Sequence, residues 1–267
     1  MQKYLSVFEL GKRQKIILSS VLLSTLLLST GFLPIYIYIS YRTYYILFFA
    51  ILGYILSLWS LWEGINRIKA ATLLILPTLF TLAVANYYFL ITIRWLIILI
   101  ALSFGVIFYT LLLSKNIFNV ASIRTIPLYR VASFVSFIIT GITAFLIFNI
   151  ILSLNLPFFI NSLLVFLILF LLSIQLLWTI EMENVSSLII VYSGVVALMI
   201  GEVAGVLSFW PTFRPMSALV LAITFSVYIG IMMEHLRDRL TKVVVRGYLI
   251  WEILAILLIF MTTSWQG

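Results

Sequence analysis

The sequence predicts an all-α, polytopic integral membrane helix bundle of about nine transmembrane helices, with the N-terminus cytoplasmic and the C-terminus outside. Three observations carry this. Of the 267 residues, 64% are hydrophobic and only 9% are charged, whereas a soluble domain carries about 25% charged residues. Apolar runs of about 20 residues, the length that crosses a bilayer core, recur along the whole chain. Lys and Arg fall between these runs with a strong preference for one side. Lipid offers no partners for backbone N–H and C=O groups, so the runs must be helices. The alternating segments of about 10 residues that build a β-barrel are missing from the sequence.

The expected spans follow in chain order. The first, at 16–38, comes after the basic stretch Lys12-Arg13-Gln14-Lys15. It reads as an uncleaved span and not a signal peptide, because the apolar stretch continues to about Ile39. Spans at 43–62 and 71–93 are separated by the charged turn with Glu63, Arg67 and Lys69. The fourth, at 95–114, starts after Arg94, and the loop 114–130 follows with Lys115, Arg124 and Arg130. Spans at 131–152, 157–179, 185–208, 216–233 and 247–265 complete a single transmembrane domain over 1–267. Spans one to four and five to eight both read as two hairpins, the pattern of a parallel duplication, but their residue-level similarity is poor.

With the N-terminus inside, 13 of the 16 Lys and Arg are cytoplasmic, and only Arg42, Arg94 and Arg214 are outside. Six of the eight acids are cytoplasmic as well, and none lies in an outer loop. The inner face is therefore net positive and suits anionic lipid headgroups. Lys12, Arg13, Lys15, Arg237, Arg239, Lys242 and Arg246 are the expected headgroup contacts. This accounts for the basic character, and no nucleic-acid partner is expected. The segment 233–246, MEHLRDRLTKVVVR, has apolar residues at Leu236, Leu240 and Val243, with Asp238 and Lys242 four apart. That spacing predicts an interfacial helix.

The side chains available exclude most intramembrane chemistry. There is one His (His235), one Asp (Asp238) and no Cys, and both His235 and Asp238 fall in a cytoplasmic loop. A zinc site needs several converging ligands. An aspartyl dyad needs two facing carboxylates, and a Ser nucleophile needs a buried base. No Gly-rich phosphate loop is present. No metal and no cofactor are expected.

Two carboxylates remain inside spans. Glu202 lies in the outer third of the seventh, and Glu252 in the inner third of the ninth. Intramembrane acids usually face protein or water. Glu252 is expected to reach inward to Arg246 or another basic residue. Glu202 flanks a small-residue stripe that includes Gly201 and Gly205, which favours close helix approach. Trp210, Pro211, Arg214 and Pro215 follow, so a rigid turn is expected. Glu202 then either pairs with Arg214 or lines an outward-facing polar crevice with Asn86, Asn149 and Asn161. On the fifth span, Ser133, Ser136, Thr140 and Thr143 form a hydroxyl stripe that suits helix packing.

Glu202 with Phe209-Trp210-Pro211, then a span, a basic His-Leu-Arg turn and a last span ending in Trp, covers about residues 195–265. This pattern resembles uncharacterised multi-pass membrane families of bacterial candidate phyla. The resemblance implies a bacterial cytoplasmic membrane setting and brings no chemistry with it. The expected function is a non-enzymatic envelope scaffold or accessory subunit. Its expected partners are the bilayer and a membrane protein or a second copy of the chain. The alternative is a small-solute or lipid transporter using the site around Glu202. A lipid-modifying enzyme is the reading least supported.

Overall fold

The computed structural model describes residues 11–33, 40–62, 67–89, 91, 93–121, 127–182 and 185–263. Among these residues the chain is all-α, with nine long helices. They are α1 (Lys12–Thr30), α2 (Arg42–Leu61), α3 (Arg67–Tyr88), α4 (Arg94–Ala121), α5 (Tyr129–Ser153), α6 (Phe158–Glu181), α7 (Ser187–Leu207), α8 (Arg214–Leu236) and α9 (Lys242–Thr262). Each matches one expected span in order. Eight are long and apolar enough to cross a membrane. The other is α1, whose first turn carries Lys12, Arg13 and Lys15. Residues 34–39, where the first span was expected to end, lie outside the described residues, as do Lys3, Glu9, Glu63, Arg124 and Glu183.

The helices divide into two compact units, residues 1–135 and 136–267. In the first unit α1 packs against α2 and α4, and α2 against α3. Small residues set these contacts, as packing without a hydrophobic driving force requires. A Cβ on Gly53 of α2 would come within 2.7 Å of Thr81 Oγ1 on α3. Ser24 of α1 donates to the Ala101 carbonyl of α4 at 2.7 Å. Tyr88 of α3 donates to the Leu28 carbonyl of α1 at 3.4 Å.

The sequence places Lys115 in a cytoplasmic loop, but α4 runs on to Ala121 and Lys115 is completely buried on it. Leu111, Leu112 and Phe118 are buried on the same helix, so the apolar face extends beyond the point where the first charge marks a boundary. The Lys115 ammonium lies 5.6 Å from the Phe118 ring centroid, within cation–π range.

In the second unit α6 and α7 form the most extensive pair, and α8 packs on α7 and α9. The expected glycine pair makes the first of these contacts. A Cβ on Gly201 would meet the Ser162 carbonyl at 3.2 Å, and one on Gly205 would meet Ser162 Oγ at 2.6 Å. The hydroxyl stripe on α5 is buried. Thr140 and Thr143 donate back to the carbonyls of Ser136 and Ile139, both at 2.7 Å. Gln175 of α6 donates to Thr140 Oγ1 at 3.1 Å, so the stripe ties helices together.

The segment 233–246 is not one helix. α8 ends at Leu236, Asp238 takes a left-handed φ of 55°, and α9 begins at Lys242. Thr241 caps α9, its hydroxyl accepting from the Val244 N–H at 3.3 Å. A Thr N-cap within the expected helix is the local signal that competes with the apolar spacing.

Candidate functional site: a lateral cleft at the C-terminal end of α7

α7 carries one face into the bundle and one face away from it. Val196, Ala197, Ile200, Gly201 and Ala204 are buried. Val195, Leu198, Met199, Val206 and Phe209 are exposed. Glu202 belongs to the exposed set. Its position follows from the helix period: it is four residues after Leu198 and four before Val206, on the same face. It lies five residues before the end of α7, which is about 7 Å along the axis.

Glu202 opens onto a cleft of about 660 Å³. Ser162 of α6 and Gly205 form its floor, and Phe158, Phe209, Trp210 and Pro211 form its aromatic and proline walls. The Phe158 and Phe209 rings lie 5.1 Å apart. Trp210 is held by a 2.7 Å hydrogen bond from its indole N–H to Thr263 Oγ1, and its ring meets Phe260 edge to face at 5.4 Å. The wall is therefore anchored from α9. Among the described residues, neither the Glu202 carboxylate nor the Ser162 hydroxyl has a side-chain hydrogen-bond or ion-pair partner.

Glu202 does not pair with Arg214. The Arg214 guanidinium donates to Asn155 Oδ1 at 3.1 Å, in the turn between α5 and α6. Asn155 has a φ of 50°, a conformation that Asn tolerates better than most residues. Arg42 in the first unit is held in the same way, donating to Asn86 Oδ1 at 2.8 Å. Arg42 and Arg214 each begin a helix, where the helix dipole disfavours a cation. In each case a neutral amide oxygen accepts from the guanidinium.

The other candidates fall into separate environments. Asn86 lies in the first unit, and Asn149, Asn161, Glu202 and Arg214 in the second. Asn161 is 4% exposed. It donates to the Leu156 carbonyl and to Ser208 Oγ, both at 3.2 Å. This ties the start of α6 to the end of α7 next to the cleft. Its Oδ1 and that of Asn149 are buried without a hydrogen-bond partner. Glu252 does not reach Arg246: it accepts from Thr224 Oγ1 of α8 at 3.0 Å, and its second oxygen is buried without a partner. Arg246 is exposed and borders a shallow groove with Lys242 and Leu240. Arg239 is also exposed, whereas Arg237 pairs with Glu234 at 3.1 Å. Lys12, Arg13 and Lys15 form the first turn of α1, with Arg13 the most open. Among the described residues, no three His, Asp or Glu side chains converge as a metal site would require.

Ser162, Phe158 and Asn155 were missed from the sequence alone. Only Asn155 had a readable signal, since Leu-Asn-Leu-Pro between two apolar runs marks a turn.

A bundle of long apolar helices, eight of them able to span a bilayer, defines a multi-pass α-helical membrane protein. Within that class the chain belongs to a family of proteins of unknown function, DUF5656, whose model matches residues 24–262. The match runs from the middle of α1 to the end of α9 and includes the whole cleft. No curated protein and no solved structure matches the chain.

Proposed function

We propose that the protein is a non-enzymatic scaffold or accessory subunit of the bacterial cytoplasmic membrane that works through lateral contacts within the bilayer. The observation that carries this reading is the placement of Glu202. An exposed carboxylate sits on a stripe of exposed apolar residues and faces sideways. In this reading the N-terminus is cytoplasmic and the C-terminus outside. The basic residues at the ends of α1, α8 and α9 then lie against anionic headgroups, and the Glu202 cleft faces the outer leaflet. The second partner is another membrane protein or a second copy of the chain. A photo-crosslinking amino acid at Val206, which is 60% exposed, tests this in intact cells. A discrete crosslinked protein band is the expected outcome, and a purely monomeric, uncrosslinked chain overturns the reading.

One observation favours a transporter as a second reading. Asn149 and Asn161 both bury an unpartnered Oδ1 in the unit that holds Glu202. Buried amide oxygens without partners are uncommon in folded proteins and suit a polar path for a solute. Flux into proteoliposomes that is equal for the wild type and Glu202→Gln removes Glu202 from any such path.

A further inference from the structure

We propose that the Glu202 cleft binds the primary ammonium headgroup of an aminolipid of the phosphatidylethanolamine class. This rests on the reading that the protein works through lateral contacts, and it names the chemistry that Glu202 meets there. A carboxylate near lipid is disfavoured without a counter-charge, and Glu202 has no cation beside it among the described residues. The basic side chain nearest in sequence, Arg214, is engaged by Asn155. The charge of the cleft therefore calls for a cation from outside the chain.

The walls specify which cation. Phe158, Phe209 and Trp210 line the cleft, and aromatic rings attract an organic cation bearing CH₂ groups. A hard divalent ion needs several oxygen ligands, and Glu202 is the sole acid of the cleft. The Ser162 hydroxyl and the carboxylate are both free to accept hydrogen bonds. A primary ammonium donates three, whereas a trimethylated one donates none. The opening specifies that the cation is attached to a lipid. Val195, Leu198 and Met199 continue the exposed stripe along α7 away from the cleft, so an acyl chain lies along the helix while the headgroup sits near its end.

The test uses the full chain in nanodiscs containing phosphatidylglycerol, phosphatidylethanolamine and phosphatidylcholine in equal parts, with retained lipids counted by native mass spectrometry. The wild type is expected to retain phosphatidylethanolamine over either other lipid by about tenfold, a difference of about 1.4 kcal/mol. Glu202→Gln loses the preference, and Glu252→Gln keeps it. Equal retention of all three lipids, or a preference that survives Glu202→Gln, overturns the proposal. Displacement of the lipid by soluble ethanolamine as effectively as by the lipid itself assigns the cleft to free amines and also overturns it. If Glu202→Gln does not fold, Phe209→Ala at a 72% exposed position replaces it, and an unchanged preference there counts against the aromatic wall. Absence of a lipid preference together with protein crosslinks at Val206 removes the headgroup and leaves the lateral-contact reading standing. Absence of both removes both.

Discussion

Arg42 and Arg214 show what a single residue needs at the start of a membrane helix. Arg214 sits at the start of α8 and is satisfied by the side chain of Asn155, in a turn where Asn155 holds a φ of 50°. Asn155 thus has two roles, an acceptor and a left-handed backbone, and substitutions separate them. Arg214→Ala and Asn155→Gly each remove one hydrogen bond and are expected to cost about 0.5–1.5 kcal/mol. Asn155→Ala also puts a residue without a short polar side chain in the left-handed region, which Asn tolerates better, and is expected to cost about 1–2 kcal/mol more. Thermal melting in detergent ranks the three; equal melting temperatures for Asn155→Ala and Asn155→Gly contradict the backbone role. At this scale the sequence identified the charged residues but not their partners. Glu202, Arg214 and Glu252 were conspicuous because they interrupt apolar runs. Asn155 and Thr224, the partners of Arg214 and Glu252, are ordinary polar residues, and which one meets which charge depends on helix rotation and turn geometry that spacing alone does not supply.

At the scale of the helices, the glycines of α7 divide into those that pack and those that do not. A Cβ on Gly205 would lie 2.6 Å from Ser162 Oγ, whereas one on Gly194 would find its nearest neighbour at 3.9 Å, Phe170 Cε2. Gly205→Ala is therefore expected to destabilise the α6–α7 pair by about 1–3 kcal/mol, the range for overpacking. Gly194→Ala is expected to be neutral or to stabilise by up to about 1 kcal/mol, because Ala favours helix over Gly. Melting of the two variants side by side checks this, and equal destabilisation contradicts the close approach. The Gly201–Gly205 contact was legible because its four-residue spacing is a direct consequence of helix geometry. The break after Leu236 was not, because Leu236, Leu240 and Val243 keep helical spacing across it. There the Thr241 cap and the left-handed Asp238 override the apolar pattern.

For the whole molecule, membrane class and helix order were the most legible features, since they depend on run length and not on any one partner. The charge asymmetry that sets orientation also survives the correction at Lys115. Removing that buried residue leaves 12 basic residues on the expected inner side against three outside, and orientation depends on such an excess. The chain has no cysteine, so single cysteines report topology without background. Phe32 and Phe213 are 67% and 70% exposed, and the six helices α2–α7 lie between them. An even number of crossings returns the chain to the same side, whereas Arg239, one helix further on, lies on the other. Phe32→Cys and Phe213→Cys are therefore expected to react with a membrane-impermeant maleimide in intact cells, and Arg239→Cys only after permeabilisation. Labelling of Arg239→Cys alone reverses the orientation and puts the Glu202 cleft in the inner leaflet. Labelling of Phe32→Cys and Phe213→Cys on opposite sides means that one of the six helices does not cross. Because the cleft lies at the same end of α7 as Phe213, this labelling also determines which leaflet supplies the lipid that Glu202 meets.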